Sequence, residues 1–133
     1  MIKGIGHVGV AVSNIDEVVQ SVSKALGIPA PAVKDVPSWK IKVAVVQVGD
    51  QAFELLQDYS ESGMLATFRR EHGKNGIHHV CLISDDMEAD IAAFKQRGVE
   101  MADEKPKLGV RGKRIAFTKP SVLGGVPIEL SEP

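Results

Sequence analysis

The sequence predicts an α+β fold built from two tandem copies of one unit, and three observations lead there. IGHVGVAVSNIDEVV, starting at Ile5, lies over IHHVCLISDDMEADI, starting at Ile77, so that Ile5 meets Ile77, His7 meets His79, Val8 meets Val80 and Val10 meets Leu82. In each copy a short strand-like run passes through a polar turn, Ser13-Asn14 or Ser84-Asp85-Asp86, into apolar residues at helical spacing: Val18, Val19, Val22 and Leu26 in the first, Ile91 and Phe94 in the second. Each helical run then stops at a glycine, Gly27 or Gly98, the residue that accepts a left-handed C-terminal cap without strain.

The copies match again further on. KVAVVQV from Lys42 lies over RIAFTKP from Arg114 at the same offset, and AFELL then aligns with PIELS through Glu54 and Glu129. The second copy carries a short insertion within Ser121-Val122-Leu123-Gly124-Gly125, a hairpin loop where extra length costs little. Each half therefore reads strand, helix, then two or three strands. Gly49-Asp50 is a two-residue link suited to a tight hairpin between strands at 41–48 and 51–57. A connecting helix is expected over 60–73, capped by Ser60 or Ser62 and ended by Gly73, with Gly73-Lys74-Asn75-Gly76 as the link between halves. The expected core is Ile5, Val8, Val10, Val12, Val19, Val22, Leu26, Val43, Val45, Phe53, Leu55, Val80, Leu82, Ile91, Phe94, Ile115, Phe117, Ile128 and Leu130.

Composition sets the outer bounds. A chain of 133 residues that is 44% hydrophobic suits a single domain, 1–133, able to bury a core without staples. Cys81 is the one cysteine, which excludes an internal disulfide and fits a reducing compartment. No apolar run reaches the roughly 18 residues of a membrane span, and MIKGIGHVGVAV lacks the order of a secretory signal, so a cytoplasmic protein is expected. A net charge of −1, with both signs mixed along the chain, offers no electrostatic case for nucleic acid or membrane as partner.

The repeat concentrates attention on four residues. Both halves place a histidine at the same point of the first strand and a glutamate at the same point of the last: His7 and His79, Glu54 and Glu129. Strand residues alternate faces, so Glu54 points away from Phe53 and Leu55, and a single such carboxylate would ordinarily face water. A pseudo-twofold between the halves would bring all four side chains to one axis. Two imidazoles and two carboxylates suit one divalent ion such as cobalt, zinc, nickel, iron or manganese. The remaining candidates have simpler explanations. His78 faces the opposite side from His79 and is expected to pack or to reach a second-layer partner; His72 lies near a helix end, where a cation suits the dipole. Cys81 shares parity with His79 and is expected as small buried filling.

At these residues the chain resembles the vicinal-oxygen-chelate (glyoxalase/bleomycin resistance/dioxygenase) superfamily, and within it the methylmalonyl-CoA epimerases. The resemblance rests on GHVGVAV, FELL, GIHHVCLISDDMEADIAAFKQRGV and DEKPKLGVRGKRIAF…GGVPIELSE, in that order and spacing. It implies two βαβββ modules, about 3–58 and 76–132, joined by the linker helix, forming a cupped mixed sheet around a metal held by His7, Glu54, His79 and Glu129. It also implies epimerisation of an acyl-CoA thioester through a metal-stabilised enolate, with Glu129 and Glu54 as candidate bases. The cations Lys107, Arg111, Lys113, Arg114 and Lys119 could meet the phosphates of that substrate or simply be solvated. Dimers are common in this architecture, which leaves a homodimer open. Two features depart from the epimerases: Thr118-Lys119-Pro120-Ser121 replaces a turn like Leu-His-Pro-Lys, and the strand Ile41-Lys42-Val43-Ala44-Val45 lacks a glutamate that some members carry. A glyoxalase I-like lactoylglutathione lyase would suit the same ligands, and a non-catalytic small-molecule binder would suit the same fold.

Overall fold

In the computed structural model, residues 1–73 and 75–133 are described, Met64 by its backbone alone. The expected inter-half link falls partly on Lys74, which lies outside the described residues. The order strand, helix, strand, strand, strand occurs twice. The first set is β1 (Ile2–Ala11), α1 (Ile15–Leu26), β2 (Lys34–Val36), β3 (Ile41–Val48) and β4 (Gln51–Asp58). After α2 (Met64–His72) come β5 (Gly76–Ser84), α3 (Met87–Gln96), β6 (Lys107–Leu108), β7 (Arg114–Phe117) and β8 (Ile128–Ser131). Among the described residues no helix is long and apolar enough to cross a membrane.

The chain packs as two compact units, one of Met1–Val8 with His79–Pro133, the other of Gly9–His78. In the first unit the strand order is β1-β5-β8-β7-β6, and β5 and β8 are parallel while β6, β7 and β8 are antiparallel neighbours. In the second the order is β2-β3-β4-β1, with β2, β3 and β4 antiparallel. Parallel and antiparallel pairs together make the sheet mixed, as the α+β reading requires.

Local chemistry explains the helix boundaries. Asn14 caps α1 by accepting from the Glu17 N–H, and Asp86 caps α3 by accepting from the Ala89 N–H. Gly27 ends α1 at φ 64°, a left-handed conformation costly for residues with a Cβ. The cap expected for α2 is different. Gly63 occupies that position with no side-chain bond, and Asp58, at the end of β4, takes over: its Oδ2 accepts from Ala66 N–H at 3.1 Å and its Oδ1 from Ser60 N–H at 2.7 Å. A carboxylate has two separate oxygens and can serve two amides placed apart, a span that the single oxygen of a serine hydroxyl lacks.

Each unit has its own core. In the second, α1 lays Ile15 and Val19 on Ala44, Val46, Leu55 and Val12. In the first, α3 lays Met87 and Ile91 on Met101, Ala116, Ile128 and Leu130. Three expected core residues are corrected: Ile5, Leu26 and Phe53 are exposed. Leu26 is the last residue of α1, beside its cap. Phe53 pairs with Val46 near the hairpin turn, outside the cluster under α1. Ile5 precedes the stretch of β1 in which burial begins, at His7.

Candidate metal centre

Three of the four expected ligands belong to the first unit, and the structure brings them together. His7 lies where β1 becomes buried, His79 in the middle of β5 and Glu129 on β8. His7 Nε2 and His79 Nε2, from residues 72 apart in sequence, are 3.1 Å from each other. Glu129 Oε1 is 3.2 Å from the His7 nitrogen and 3.8 Å from that of His79. All three are nearly sealed from solvent, at 7%, 1% and 5% exposure. The His79 ring also meets the Phe117 ring edge-on, with centroids 5.3 Å apart, so one wall of the group is aromatic and dry.

The electrostatics follow from that burial. Removal from water pushes the Glu129 carboxyl upward, but its hydrogen bond with His7, the charges of His79 and His7 and a hydrogen bond from Cys81 outweigh it. The net position is below the usual carboxylate range. Two imidazole nitrogens 3.1 Å apart cannot face each other as bare lone pairs; a proton or a cation has to lie between them. Metal bonds of about 2.0–2.2 Å would set neighbouring ligand atoms about 3 Å apart, the spacing seen here. The donor set therefore fits a divalent ion, with nitrogen and oxygen donors of borderline softness.

Glu54 belongs to the second unit, on β4. It is 4% exposed, while its neighbour Phe53 is 43% exposed. A buried carboxylate beside an exposed phenyl inverts the ordinary order of burial and excludes the reading that Glu54 simply faces water. Its register carries the repeat further. Glu54 stands opposite Val45 on β3, and Glu129 stands opposite Phe117 on β7; Val45 and Phe117 are themselves equivalent under the repeat offset. Within its own unit each glutamate thus occupies the same ladder position.

The other two histidines meet one aromatic ring. His72 stacks on Phe68 with centroids 4.6 Å apart, and buried His78 meets the same ring edge-on at 5.2 Å. Among the candidate cations, Lys107 pairs with Asp103, Lys119 with Glu100, and Arg114 with both Glu88 and Glu132. Two neighbours of the centre were not evident as functional in the sequence. Phe117 was expected only as core, and Cys81 only as filling, yet its sulfur lies with a His7 nitrogen and a Glu129 oxygen, all within 4.8 Å of one another. Its parity with His79 was the available signal.

The family model for the Glyoxalase/Bleomycin resistance protein/Dioxygenase superfamily matches residues 6–117. The ethylmalonyl-CoA/methylmalonyl-CoA epimerase of Cereibacter sphaeroides is 28% identical over 133 residues, covering 99% of each chain. The mitochondrial methylmalonyl-CoA epimerase of Bos taurus is 28% identical over 128 residues, 96% of this chain and 73% of that one. Among solved structures, the methylmalonyl-CoA epimerase of Mycobacterium tuberculosis superposes with a TM-score of 0.86 at 28% identity, covering 99% of this chain and 89% of that one.

Proposed function

This chain belongs to the glyoxalase/bleomycin resistance protein/dioxygenase superfamily and is an epimerase-like enzyme within it, and we propose that it epimerises an acyl-CoA thioester, methylmalonyl-CoA, at the α-carbon. The observation that carries the proposal is the buried convergence of His7, His79 and Glu129, with nitrogen and oxygen donors 3.1–3.8 Å apart. We read 1–133 as one domain in which His7, Glu54, His79 and Glu129 hold a single divalent ion. Support for Glu54 comes from its burial and from the ladder position it shares with Glu129. The reducing cytoplasm is the proposed compartment, in keeping with the buried free thiol of the one cysteine.

The reaction asks for removal of a proton bonded to carbon, and the electron pair left behind moves onto the thioester carbonyl. A divalent ion, when bound, supplies positive charge that stabilises the oxygen on which that negative charge develops. Glu129 is the proposed base. It is buried yet held in the ionised form, so it can accept the α-proton without first losing one of its own. The broken C–H bond leaves its proton on a Glu129 oxygen, and a proton delivered to the opposite face of the planar carbon completes the inversion. Glu54, carrying a proton, is the proposed donor there; it then takes up another from solvent while Glu129 gives up the one it gained, which restores the starting state. His7 and His79 keep their place as orienting groups, and the Phe117 ring beside His79 excludes water that would otherwise exchange with the proton in transit.

The test is to supply each stereoisomer of methylmalonyl-CoA to the protein loaded with cobalt, zinc, nickel or manganese and to follow interconversion. The hemithioacetal of methylglyoxal and glutathione is the parallel substrate. Interconversion supports the epimerase; turnover of the hemithioacetal alone would make the chain a lyase. Metal binding without either reaction would leave only the non-catalytic binder.

A further inference from the structure

Cys81 is packed against the carboxylate to which the proposed chemistry assigns the proton. The parallel register of β5 and β8 sets Cys81 beside Glu129, and alternation along β5 puts its side chain on the same face as that of His79. The thiol is fully buried, at 0% exposure, and its sulfur lies within 4.8 Å of a Glu129 oxygen and of a His7 nitrogen. It is also held from behind. A Cβ on Gly6 of β1 would come within 3.4 Å of the Cys81 sulfur and 2.5 Å of Ile83 Cδ1, so the bare backbone of residue 6 packs closely over the thiol and its neighbour. A thiol so enclosed has little room to rotate and is sealed from bulk water. An ionised carboxylate only accepts hydrogen bonds, so the S–H proton has Glu129 as its natural acceptor.

We propose that Cys81 is a positioning residue for Glu129: its S–H donates to the carboxylate and fixes the plane in which that group meets the substrate proton. This rests on the reading of Glu129 as the base, and the contact itself can be tested without any substrate. Because the chain has one cysteine, the infrared spectrum of the protein contains a single S–H stretching band. In both metal-free and metal-loaded protein that band should lie below the frequency of an unbonded thiol, and Glu129→Gln should move it upward. With methylmalonyl-CoA, Cys81→Ala should lower kcat about ten- to a hundredfold, the scale of one lost hydrogen bond to a charged group, and leave KM nearly unchanged. Cys81→Ser, which keeps an O–H donor, should recover most of the loss, and both variants should retain stoichiometric metal. An S–H band at the unbonded frequency and indifferent to Glu129→Gln overturns the proposal whatever the substrate proves to be. So does wild-type kcat in Cys81→Ala, or a thiolate-to-metal charge-transfer band in the cobalt-loaded protein, which would make Cys81 a ligand.

Discussion

Replacing Asp58 by asparagine should destabilise the protein almost as much as replacing it by alanine. Asp58 is buried at the end of β4, and its two oxygens have separate duties: Oδ1 accepts from Ser60 N–H and Oδ2 from Ala66 N–H, eight residues further on. Alanine removes both acceptors. Ser60 is half-buried and can turn to water, but Ala66 is buried, and its amide in the first turn of α2 would lose the acceptor that Asp58 supplies. Hydrogen bonds to charged groups contribute about 1.5–3 kcal/mol each, and a stranded buried donor costs about 1–3 kcal/mol, so with partial recovery at Ser60 the loss is about 2–4 kcal/mol. Asparagine offers one oxygen and one NH₂ group; whichever way it turns, a donor faces a donor. It should therefore lose at least about 2 kcal/mol despite its matching shape. Urea unfolding followed by circular dichroism measures this as a lowered midpoint at constant slope, and hydrogen exchange should show the Ala66 amide losing protection first. Asparagine within about 0.5 kcal/mol of the parent, the usual range for a surface substitution, would refute the double-acceptor account of how α2 begins.

Three further outcomes are expected. Glu129→Gln keeps the size of the side chain but removes the basic carboxylate, so turnover should fall by about 10²–10⁴ while metal analysis still finds bound ion; activity restored by excess metal would make Glu129 a ligand only. Met87→Ala opens the core under α3, where Met87 is 1% exposed, and should cost about 2–5 kcal/mol in urea unfolding, whereas Met87→Leu should cost less than about 1.5 kcal/mol. The carboxyls of Glu88 and Glu132 are both held below their ordinary range, first by hydrogen bonds from Arg114. Depressed carboxyls contribute stability above the unfolded pKa and lose it as pH falls through the folded one. Carboxyl NMR titration should therefore place both midpoints below that of a free glutamate, and Arg114→Ala should raise them.

How much of this was legible in the sequence differs from residue to residue. The histidines and glutamates could be found because the chain repeats them, and a repeat samples the same ladder position twice; neither His7 nor Glu54 alone would have stood out. Register supplied what pattern could not. The offset between Glu54 and Glu129 differs from that between the histidines, yet opposite Val45 and Phe117 the two positions are the same. Burial was harder to read. Phe53 has the stronger apolar character and Glu54 the weaker, but the strand buries the carboxylate and exposes the ring, the reverse of the usual preference of these side chains. The start of α2 was misread because its acceptor, Asp58, comes from the preceding strand rather than from the residue at the cap. The environment of Cys81 was invisible for a related reason: its neighbour Glu129 is distant in sequence and adjacent only through a parallel pairing.

The central claim is proton abstraction at the α-carbon by Glu129 beside a bound divalent ion. Incubating the metal-loaded protein with each stereoisomer of methylmalonyl-CoA in deuterated water, and following deuterium at that carbon by NMR or mass spectrometry, tests it most directly. The account predicts incorporation from both stereoisomers that keeps pace with their interconversion, and loss of exchange from at least one of them in Glu129→Gln. Folded, metal-loaded protein that leaves the α-proton of both stereoisomers unexchanged would contradict it.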